Sequence, residues 1–443
     1  MVFKRKIYDR LLEWKKISDG TSALLVEGAR RIGKSTIVEE FAKNEYESYI
    51  LIDFTKASKE VYTLFNDISD LSYLFMRLQL IYHKDLIERK SLIIFDEVQF
   101  CPKARQAIKH LVADHRYDYI ETGSLISIRK NVKDILIPSE EQPIQMYPMD
   151  YEEFKWALGD TRTIKFLREA FDKYQPFGDD LNRTLMRDFR LYMLVGGMPK
   201  AVSTYIETNN MHLVDDEKRN ILRLYESDFM KIDPTGKAAL LFKAIPSQLE
   251  KNASRYHVSS VLQNQRNSTV LELISEMEDS KAVLVAYKSD DPNTGLTRTK
   301  DLENFKLFVC DTGLFTTMLF MDKDFTENII YEKLLSDKLS VNLGYLYENV
   351  VAQILKANGN SLFYYTFLDE KTRHNFEIDF LLARKNKICP IEIKSSGYKT
   401  HASLDAFSEK YSSRILNKYL VYTKDLGKDK DVFSLPVYLT IFL

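Results

Sequence analysis

The feature that most constrains the fold is a glycine-rich segment after an apolar run near the start of the chain. Residues 24–27 read Leu-Leu-Val-Glu, and residues 28–35 read Gly-Ala-Arg-Arg-Ile-Gly-Lys-Ser before a helix-compatible run. A strand, a Gly-x-x-x-x-Gly-Lys-Ser loop and a helix in this order are typical of a phosphate-binding loop. The two glycines let the backbone N–H groups point at phosphate oxygens. We expect a nucleotide site here, and the alternative is a Gly-containing turn before an ordinary helix.

The predicted nucleotide-binding residues are the loop and the start of the helix behind it. They are Gly28, Ala29, Arg30, Arg31, Ile32, Gly33, Lys34, Ser35 and Thr36. Lys34 is expected to reach the β- and γ-phosphates of ATP, and the Ser35 hydroxyl is expected to bind Mg²⁺. The N-terminus of the helix adds the positive end of its dipole.

A second apolar run ends in two acids. Residues 91–95 read Ser-Leu-Ile-Ile-Phe, and Asp96 and Glu97 follow. A continuous apolar run is typical of a parallel strand that is buried on both faces. Asp96 is expected to hold Mg²⁺, and Glu97 is expected to activate the attacking water as a general base. The alternative is a buried strand that ends in two solvated acids.

A third strand is predicted over residues 117–124, beside the strand that precedes the glycine-rich loop. Thr122 or Ser124 at its end would then sense the γ-phosphate or orient water, and the alternative is a turn with capping hydroxyls. Strands that alternate with helices predict an α/β fold, with a parallel sheet covered on both faces.

Composition limits the remaining possibilities. A chain of 443 residues predicts two to four domains. Its net charge of −1 provides no general attraction to nucleic acid or membrane. The three cysteines lie far apart, so disulfides and a zinc site are not expected. With no signal peptide and no membrane-spanning run, we expect a cytoplasmic protein.

Several motifs in sequence order resemble a family of prokaryotic AAA-type ATPases that carry a C-terminal domain of unknown function. The motifs are Gly28–Ser35, Phe95–Gln99, Glu121–Ser124, Tyr147–Phe154 and Gly196–Pro199. The resemblance implies an ATP- and Mg²⁺-dependent enzyme and a helical lid over the nucleotide. It also implies an arginine finger from a neighbouring subunit, and thus a homo-oligomer. The candidate fingers are Arg129, Arg183, Arg187 and Arg190, and the sequence does not choose among them.

The middle of the chain predicts helices over residues 240–249 and 258–277 and then a hairpin, which fits a winged helix. Basic side chains that could contact DNA phosphates are Lys251, Arg255, Arg266, Lys281 and Arg298. Acidic side chains lie close to them in sequence, at Glu272, Glu276, Glu278 and Asp279. A winged helix that only connects proteins is therefore an equal alternative.

The C-terminal part carries the pattern Asp…Glu-x-Lys on a predicted β-hairpin, after a helical Glu. Residues 377–383 and 388–394 form the strands, and a further strand is predicted over 437–443. Asp379, Glu392 and Lys394, with Glu348 from the helix at residues 344–357, match the restriction-endonuclease-like superfamily. Asp379, Glu392 and Glu348 would hold Mg²⁺, and Lys394 would help to generate hydroxide. Lys399, Lys410 and Arg414 are candidates to line a DNA groove.

We therefore predict four domains: a P-loop ATPase core (1–150), a helical lid (151–233), a winged-helix-like domain (234–304) and a restriction-endonuclease-like α/β domain (305–443). The predicted function is ATP hydrolysis, with Lys34 and Glu97 as catalytic residues, coupled to a DNA-binding module. Whether Glu392 and Lys394 cleave DNA is open. The alternative is a nucleotide-dependent switch, in which the C-terminal domain is a non-cleaving platform for protein or DNA.

Overall fold

A parallel five-stranded sheet carries the glycine-rich loop, in the first of two units. The computed structural model describes residues 2–124, 135–251, 254–321, 335, 344–368, 373, 375–395 and 400–443. The first unit comprises Met1–Tyr147 with Asp279–Lys281, and the second comprises Pro148–Glu278 with Ala282–Leu443.

The first unit alternates strands and helices, as predicted. Its helices are α1 (Ile7–Ser18), α2 (Lys34–Glu45), α3 (Lys59–Leu64), α4 (Leu71–Tyr82) and α5 (Pro102–Asp114). Its strands are β1 (Ala23–Glu27), β2 (Ser48–Asp53), β3 (Ser91–Asp96), β4 (Asp118–Gly123) and β5 (Glu141–Gln145). The strand order is β2-β3-β4-β1-β5, and every pair is parallel.

The sheet order confirms that β4 lies beside β1, with Leu24 opposite Ile120. All residues of β1, β3 and β4 are buried, which explains the continuous apolar run before Asp96. The carboxyl ends of β1, β3 and β4 therefore meet at one edge, where the loop, Asp96 and Thr122 come together.

The second unit begins with helices. They are α6 (Tyr151–Ala157), α7 (Thr163–Lys173), α8 (Asp179–Val195), α9 (Pro199–Thr208), α10 (Met211–Ile232), α11 (Lys237–Lys243), α12 (Ile245–Glu250) and α13 (Asn267–Asp279). Two further helices are α14 (Thr312–Leu319) and α15 (Gly344–Ala357), and α16 (Ala402–Tyr411) lies near the end. The helices predicted as a lid over the nucleotide belong to this unit by their contacts.

Two sheets complete the second unit. Their strands are β6 (Val283–Ser289), β7 (Lys300–Val309), β8 (Phe363–Leu368), β9 (Asn375–Ile378), β10 (Phe380–Arg384), β11 (Lys387–Ile393), β12 (Lys418–Tyr422), β13 (Gly427–Asp429) and β14 (Val432–Pro436). One sheet has the order β7-β6-β8-β9 and the other β10-β11-β12-β14-β13. The strand β7 crosses the boundary predicted between residues 304 and 305, so one sheet joins the segments on both sides of it.

Three predicted elements are wrong in detail. The strand predicted over 377–383 is two strands, β9 and β10, which lie in different sheets and are separated by Asp379. The helix predicted over 258–277 is a 3-10 turn at Val258–Ser260 followed by α13, with Asn264 left-handed (φ 54°) between them. Residues Val437–Phe442 form a 3-10 helix instead of a strand.

The helix predicted over 240–249 is also interrupted. It consists of α11 and α12, because Pro246 has no backbone N–H to continue the helical hydrogen bonds and starts a new helix instead. Cys101, Cys310 and Cys389 are buried and free. No helix in the described part of the chain is long and apolar enough to cross a membrane.

Candidate functional site

The glycine-rich loop connects β1 to α2, and the backbone geometry at Gly28 and Gly33 requires glycine. A Cβ on Gly28 would lie 2.3 Å from the Met146 backbone oxygen and 2.6 Å from Ile32 Cδ1. Gly33 is left-handed (φ 92°) directly before Lys34, the first residue of α2. Side chains at either position would prevent the backbone from turning tightly into the helix.

Lys34 is buried and folded back onto its own loop. Its Nζ donates to the backbone oxygens of Gly28 (3.0 Å) and Ala29 (2.9 Å). Burial lowers the pKa of Lys34 to about 8, although the negative charges of Glu97 and Asp96 oppose this shift. The ammonium is therefore held by two neutral carbonyls at the inner side of the loop.

Two hydroxyl groups converge on Asp96 at the end of β3. Ser35 Oγ donates to Asp96 Oδ1 at 2.6 Å, and Thr122 Oγ1 donates to the same oxygen. Carboxylate and hydroxyl oxygens are hard ligands that suit Mg²⁺. Asp96 and Ser35 therefore fit the Mg²⁺ ion that the glycine-rich motif implies. One or two protein oxygens are enough, since Mg²⁺ in such sites takes its other ligands from phosphates and water.

Glu97, the residue after Asp96, has an unusual backbone conformation. It is left-handed (φ 54°, ψ 50°) and precedes a 3-10 turn over Val98–Phe100. Its N–H donates to Thr122 Oγ1 at 3.3 Å, and its carboxylate accepts a hydrogen bond from Gln99 Nε2. The structure thus brings Lys34, Ser35, Asp96, Glu97 and Thr122 to one edge of the sheet.

The other loop residues line the same turn. Ala29 and Ile32 are buried, Arg30 is half-buried, and Arg31 and Thr36 are exposed. Arg31 is left-handed (φ 70°), a conformation that is uncommon outside glycine.

Sequence reasoning missed Arg5, which holds the loop from the N-terminal side. Its Nη1 donates to the Ile32 backbone oxygen (2.9 Å), and its Nη2 donates to that of Tyr147 (2.6 Å). The side chain is buried. No local pattern distinguishes Arg5 from the other basic residues before α1, so only the fold reveals this contact.

A buried ion pair was also not predicted from the sequence. Arg105 on α5 donates from Nε and Nη2 to the two carboxylate oxygens of Glu141, at 2.8 and 2.6 Å. Glu121 on β4 is fully buried beside them. Burial first, and the Glu141 charge second, raise the pKa of Glu121 well above its usual range, and the Arg105 charge opposes this. Burial and the neighbouring Glu141 carboxylate therefore favour the protonated form of Glu121.

Two of the candidate arginine fingers have partners within the second unit. Arg183 Nη2 donates to Asp180 Oδ1 (2.9 Å), and Arg190 Nε donates to the Tyr347 hydroxyl (3.3 Å). Arg187 is exposed on α8. Arg129 lies outside the described residues. The choice among these arginines stays a prediction.

The structure brings Glu348 and Asp379 together around a lysine that was not predicted. Lys306 Nζ on β7 contacts Glu377 and lies 3.5 Å from Glu348 Oε2. Burial raises the pKa of Glu348, and the pKa of Asp379 is well above its usual range because of burial and the nearby Glu348 charge. We call Lys306, Glu348, Glu377 and Asp379 the lysine-centred cluster.

Glu392 on β11 and Lys394, the residue after β11, form a separate pair. Glu392 Oε1 lies 3.2 Å from Lys394 Nζ. Burial raises the pKa of Glu392, and the charges that oppose this shift are those of Lys394 and His401. Asp379 Oδ2 instead accepts a hydrogen bond from the Ile393 N–H at 2.7 Å.

The predicted groove lysines and arginine give little further support for a nucleic-acid surface. Lys410 lies over the rings of Phe367 and Tyr411, and Arg414 is half-buried. Lys399 lies outside the described residues.

A divalent metal, as the endonuclease-like pattern implies, would have to compete with lysines for these carboxylates. The Lys306 ammonium already pairs with Glu377 and Glu348, and Lys394 pairs with Glu392. Across the described ranges, no group of three or more His, Cys, Asp or Glu is arranged to hold a metal ion. The metal-ligand roles of Glu348, Asp379 and Glu392 stay predictions.

The Gly-Gly-Met-Pro motif is explained by packing inside the second unit. A Cβ on Gly197 would lie 2.1 Å from the Met149 backbone oxygen, and one on Gly313 would lie 2.5 Å from Gly196 Cα. Asp311 Oδ2 accepts from the Gly197 N–H at 2.5 Å. This contact joins the end of α8 to the start of α14, so the motif is a close-packed junction of two backbones.

Family models match three parts of the chain. Residues 20–155 match the model described as AAA domain. Residues 186–324 and 343–439 match two models that are each described as a domain of unknown function. No curated protein matches the chain.

Solved structures with some similarity include a Walker-type ATPase of Pyrococcus abyssi, at 13% identity and a TM-score of 0.41, covering 72% of this chain and 96% of that one. Another is the Aeropyrum pernix Orc1 protein in complex with DNA, at 13% identity and a TM-score of 0.28, covering 76% and 93%. At these TM-scores neither similarity establishes a shared fold over the whole chain. The family match and the geometry around Lys34 and Asp96 identify residues 20–155 as an AAA-type ATPase domain.

Proposed function

We propose that this chain hydrolyses ATP in the presence of Mg²⁺ at the edge formed by β1, β3 and β4. The observation that carries the proposal is the convergence of Ser35 and Thr122 on Asp96 beside Lys34. These side chains come from three separate segments, and each has the chemistry that phosphoryl transfer needs.

Each residue has a role in this proposal. The loop N–H groups and the Lys34 ammonium bind the phosphates, and Lys34 exchanges its two carbonyl acceptors for phosphate oxygens. Ser35 and Asp96 would hold Mg²⁺, which when bound offsets the negative charge of the phosphates. Thr122 orients Asp96 through its hydroxyl.

Glu97 is the general base in this proposal. A water molecule gives a proton to the carboxylate while its oxygen bonds to the γ-phosphorus. The bond between that phosphorus and the bridging oxygen breaks, and ADP leaves with the electron pair. A base at the end of a buried strand can be held in place, because the strand and the Thr122 contact fix its backbone.

Phosphate release from Mg²⁺·ATP tests the assignment. Lys34→Ala is expected to abolish turnover, and Glu97→Gln is expected to lower kcat by about a hundredfold or more. Lys43→Ala is a matched lysine control on the same helix, because the exposed Lys43 side chain lies in the last turn of α2 and pairs with Glu39. Full turnover by Lys34→Ala would refute the assignment.

For the second unit, we infer a binding platform that responds to the nucleotide and does not cut DNA. The specific observation is the lysine-centred cluster, since Lys306 supplies the positive charge that the endonuclease-like pattern assigns to a metal. Between residues 234 and 304 the sequence has nine Lys and Arg and nine Asp and Glu. These numbers give the segment no net positive charge, whereas DNA binding favours one. A connector for proteins is therefore the better account of that segment.

The competing hypothesis is a DNA-cleaving second unit that uses Asp379, Glu392 and Lys394. Plasmid incubated with the purified chain and Mn²⁺ or Mg²⁺ distinguishes the two. We expect no nicking above the level of Asp379→Ala and Glu392→Ala. Nicking by the natural chain that vanishes in both variants would establish cleavage and refute the platform.

A further inference from the structure

The buried amide side chain of Gln99 lies two residues after Glu97, on a 3-10 turn that backbone hydrogen bonds close. Phe100 N–H donates to the Glu97 oxygen (3.1 Å), and Cys101 N–H donates to the Val98 oxygen (2.9 Å). The Gln99 side chain is only 4% exposed. Because these two hydrogen bonds close the 3-10 turn, the Gln99 side chain starts from a defined position relative to Glu97.

The contact between the two side chains has one chemically sensible orientation. Gln99 Nε2 donates to Glu97 Oε2. The reversed amide would turn Oε1 toward a carboxylate oxygen, and two acceptors would then repel each other. The amide N–H is therefore the group that Gln99 presents to Glu97.

The amide oxygen of Gln99, Oε1, has no comparable contact. Among the residues that the structure describes, Gln99 Oε1 is buried and has no hydrogen-bond partner. A buried acceptor without a partner costs stability, and an apolar side chain of the same size would avoid that cost. Packing alone therefore does not explain an amide at this position, whereas its hydrogen bond to Glu97 does.

We propose that Gln99 is a positioning residue for Glu97 in ATP hydrolysis. Its N–H holds one carboxylate oxygen, and the other oxygen is left to accept the proton of the attacking water. Thr122 fixes the Glu97 main chain, so the base is held at both its backbone and its side chain. This arrangement follows the general logic of a catalytic base that is oriented by a third group. The inference rests on the proposed role of Glu97.

The test is Gln99→Met, which keeps the volume of the side chain and removes the donor. We expect kcat to fall about tenfold with an unchanged KM for ATP, since the loss affects the base and not the phosphate contacts. We also expect the thermal midpoint to stay the same or rise, because the unpartnered acceptor is gone. Gln99→Glu, which places a second carboxylate beside Glu97, is expected to lower kcat further.

Two further variants separate this inference from the proposed function. In a Glu97→Gln background, Gln99→Met should change kcat by less than about twofold, because Gln99 acts only through the Glu97 carboxylate. An equal effect in both backgrounds would overturn the inference, as would a Gln99→Met variant that loses stability together with activity. Normal turnover by Glu97→Gln would instead refute the base assignment itself. Loss in Glu97→Gln with full activity in Gln99→Met would refute the role of Gln99 alone.

Discussion

The low pKa of Lys34 predicts that ATP binding depends on pH. Without nucleotide, burial lowers the pKa of Lys34 to about 8, and its Nζ donates to two neutral carbonyls instead of to an anion. Phosphate oxygens favour the charged ammonium, so bound ATP should raise this pKa well above 8. The affinity for ATP should then be highest well below pH 8 and should be lost as the pH rises through 8. Above that pH the deprotonated Lys34 must take up a proton before it can bind the phosphates.

The magnitude follows from the fraction of lysine that is charged. About nine-tenths of Lys34 is protonated at pH 7 and about one-tenth at pH 9, so the affinity for ATP should fall about tenfold, or about 1.4 kcal/mol. At pH 8 roughly half a proton should be taken up per ATP bound.

Calorimetry in buffers of different ionisation enthalpy measures both quantities. Lys34→Met is the control, in which binding is weaker and the proton uptake disappears. Equal affinity of the natural chain at pH 7 and pH 9, with no proton uptake at pH 8, would refute the reasoning.

Three other perturbations test separate parts of the structure. Gly197→Ala should lower the free energy of unfolding by roughly 2 kcal/mol, because its Cβ would lie 2.1 Å from the Met149 backbone oxygen; urea unfolding measures this, and an unchanged midpoint would contradict the junction. Arg5→Ala should cost roughly 1–3 kcal/mol and weaken ATP binding, since the Ile32 oxygen loses its donor; normal affinity in a titration would show that the loop does not need this contact. Lys306→Met should cost roughly 3 kcal/mol, because the half-buried carboxylates of Glu348 and Glu377 lose their counter-charge, and a stabilised variant would argue against the lysine-centred cluster.

The sequence predicted the first unit well because its chemistry is contiguous. The loop around Lys34 and the acids after β3 each lie within one short segment, and the apolar runs before them already determine that they end at one sheet edge. The contact between Arg5 and Ile32 was not predictable in this way. It joins residues 27 apart that share no periodic pattern.

The second unit shows the limit of local patterns more strongly. Glu348 and Asp379 were expected near each other, but Lys306 lies 42 residues before Glu348 and carries no motif that marks it as their partner. The residue pattern over 377–383 predicts one strand, whereas the chain changes sheets at Asp379. Only the packing of two sheets and α15 determines which charges meet, and that packing is not encoded in the spacing of single residues.

A structure of the chain with Mg²⁺ and a non-hydrolysable ATP analogue tests the central claim most directly. We predict that the analogue's phosphates lie in the turn between β1 and α2, with Lys34 Nζ moved from the oxygens of Gly28 and Ala29 to the γ-phosphate. The ion should lie between Ser35 and Asp96. An analogue bound elsewhere, or a Lys34 that still contacts both carbonyls beside bound phosphates, would contradict the account.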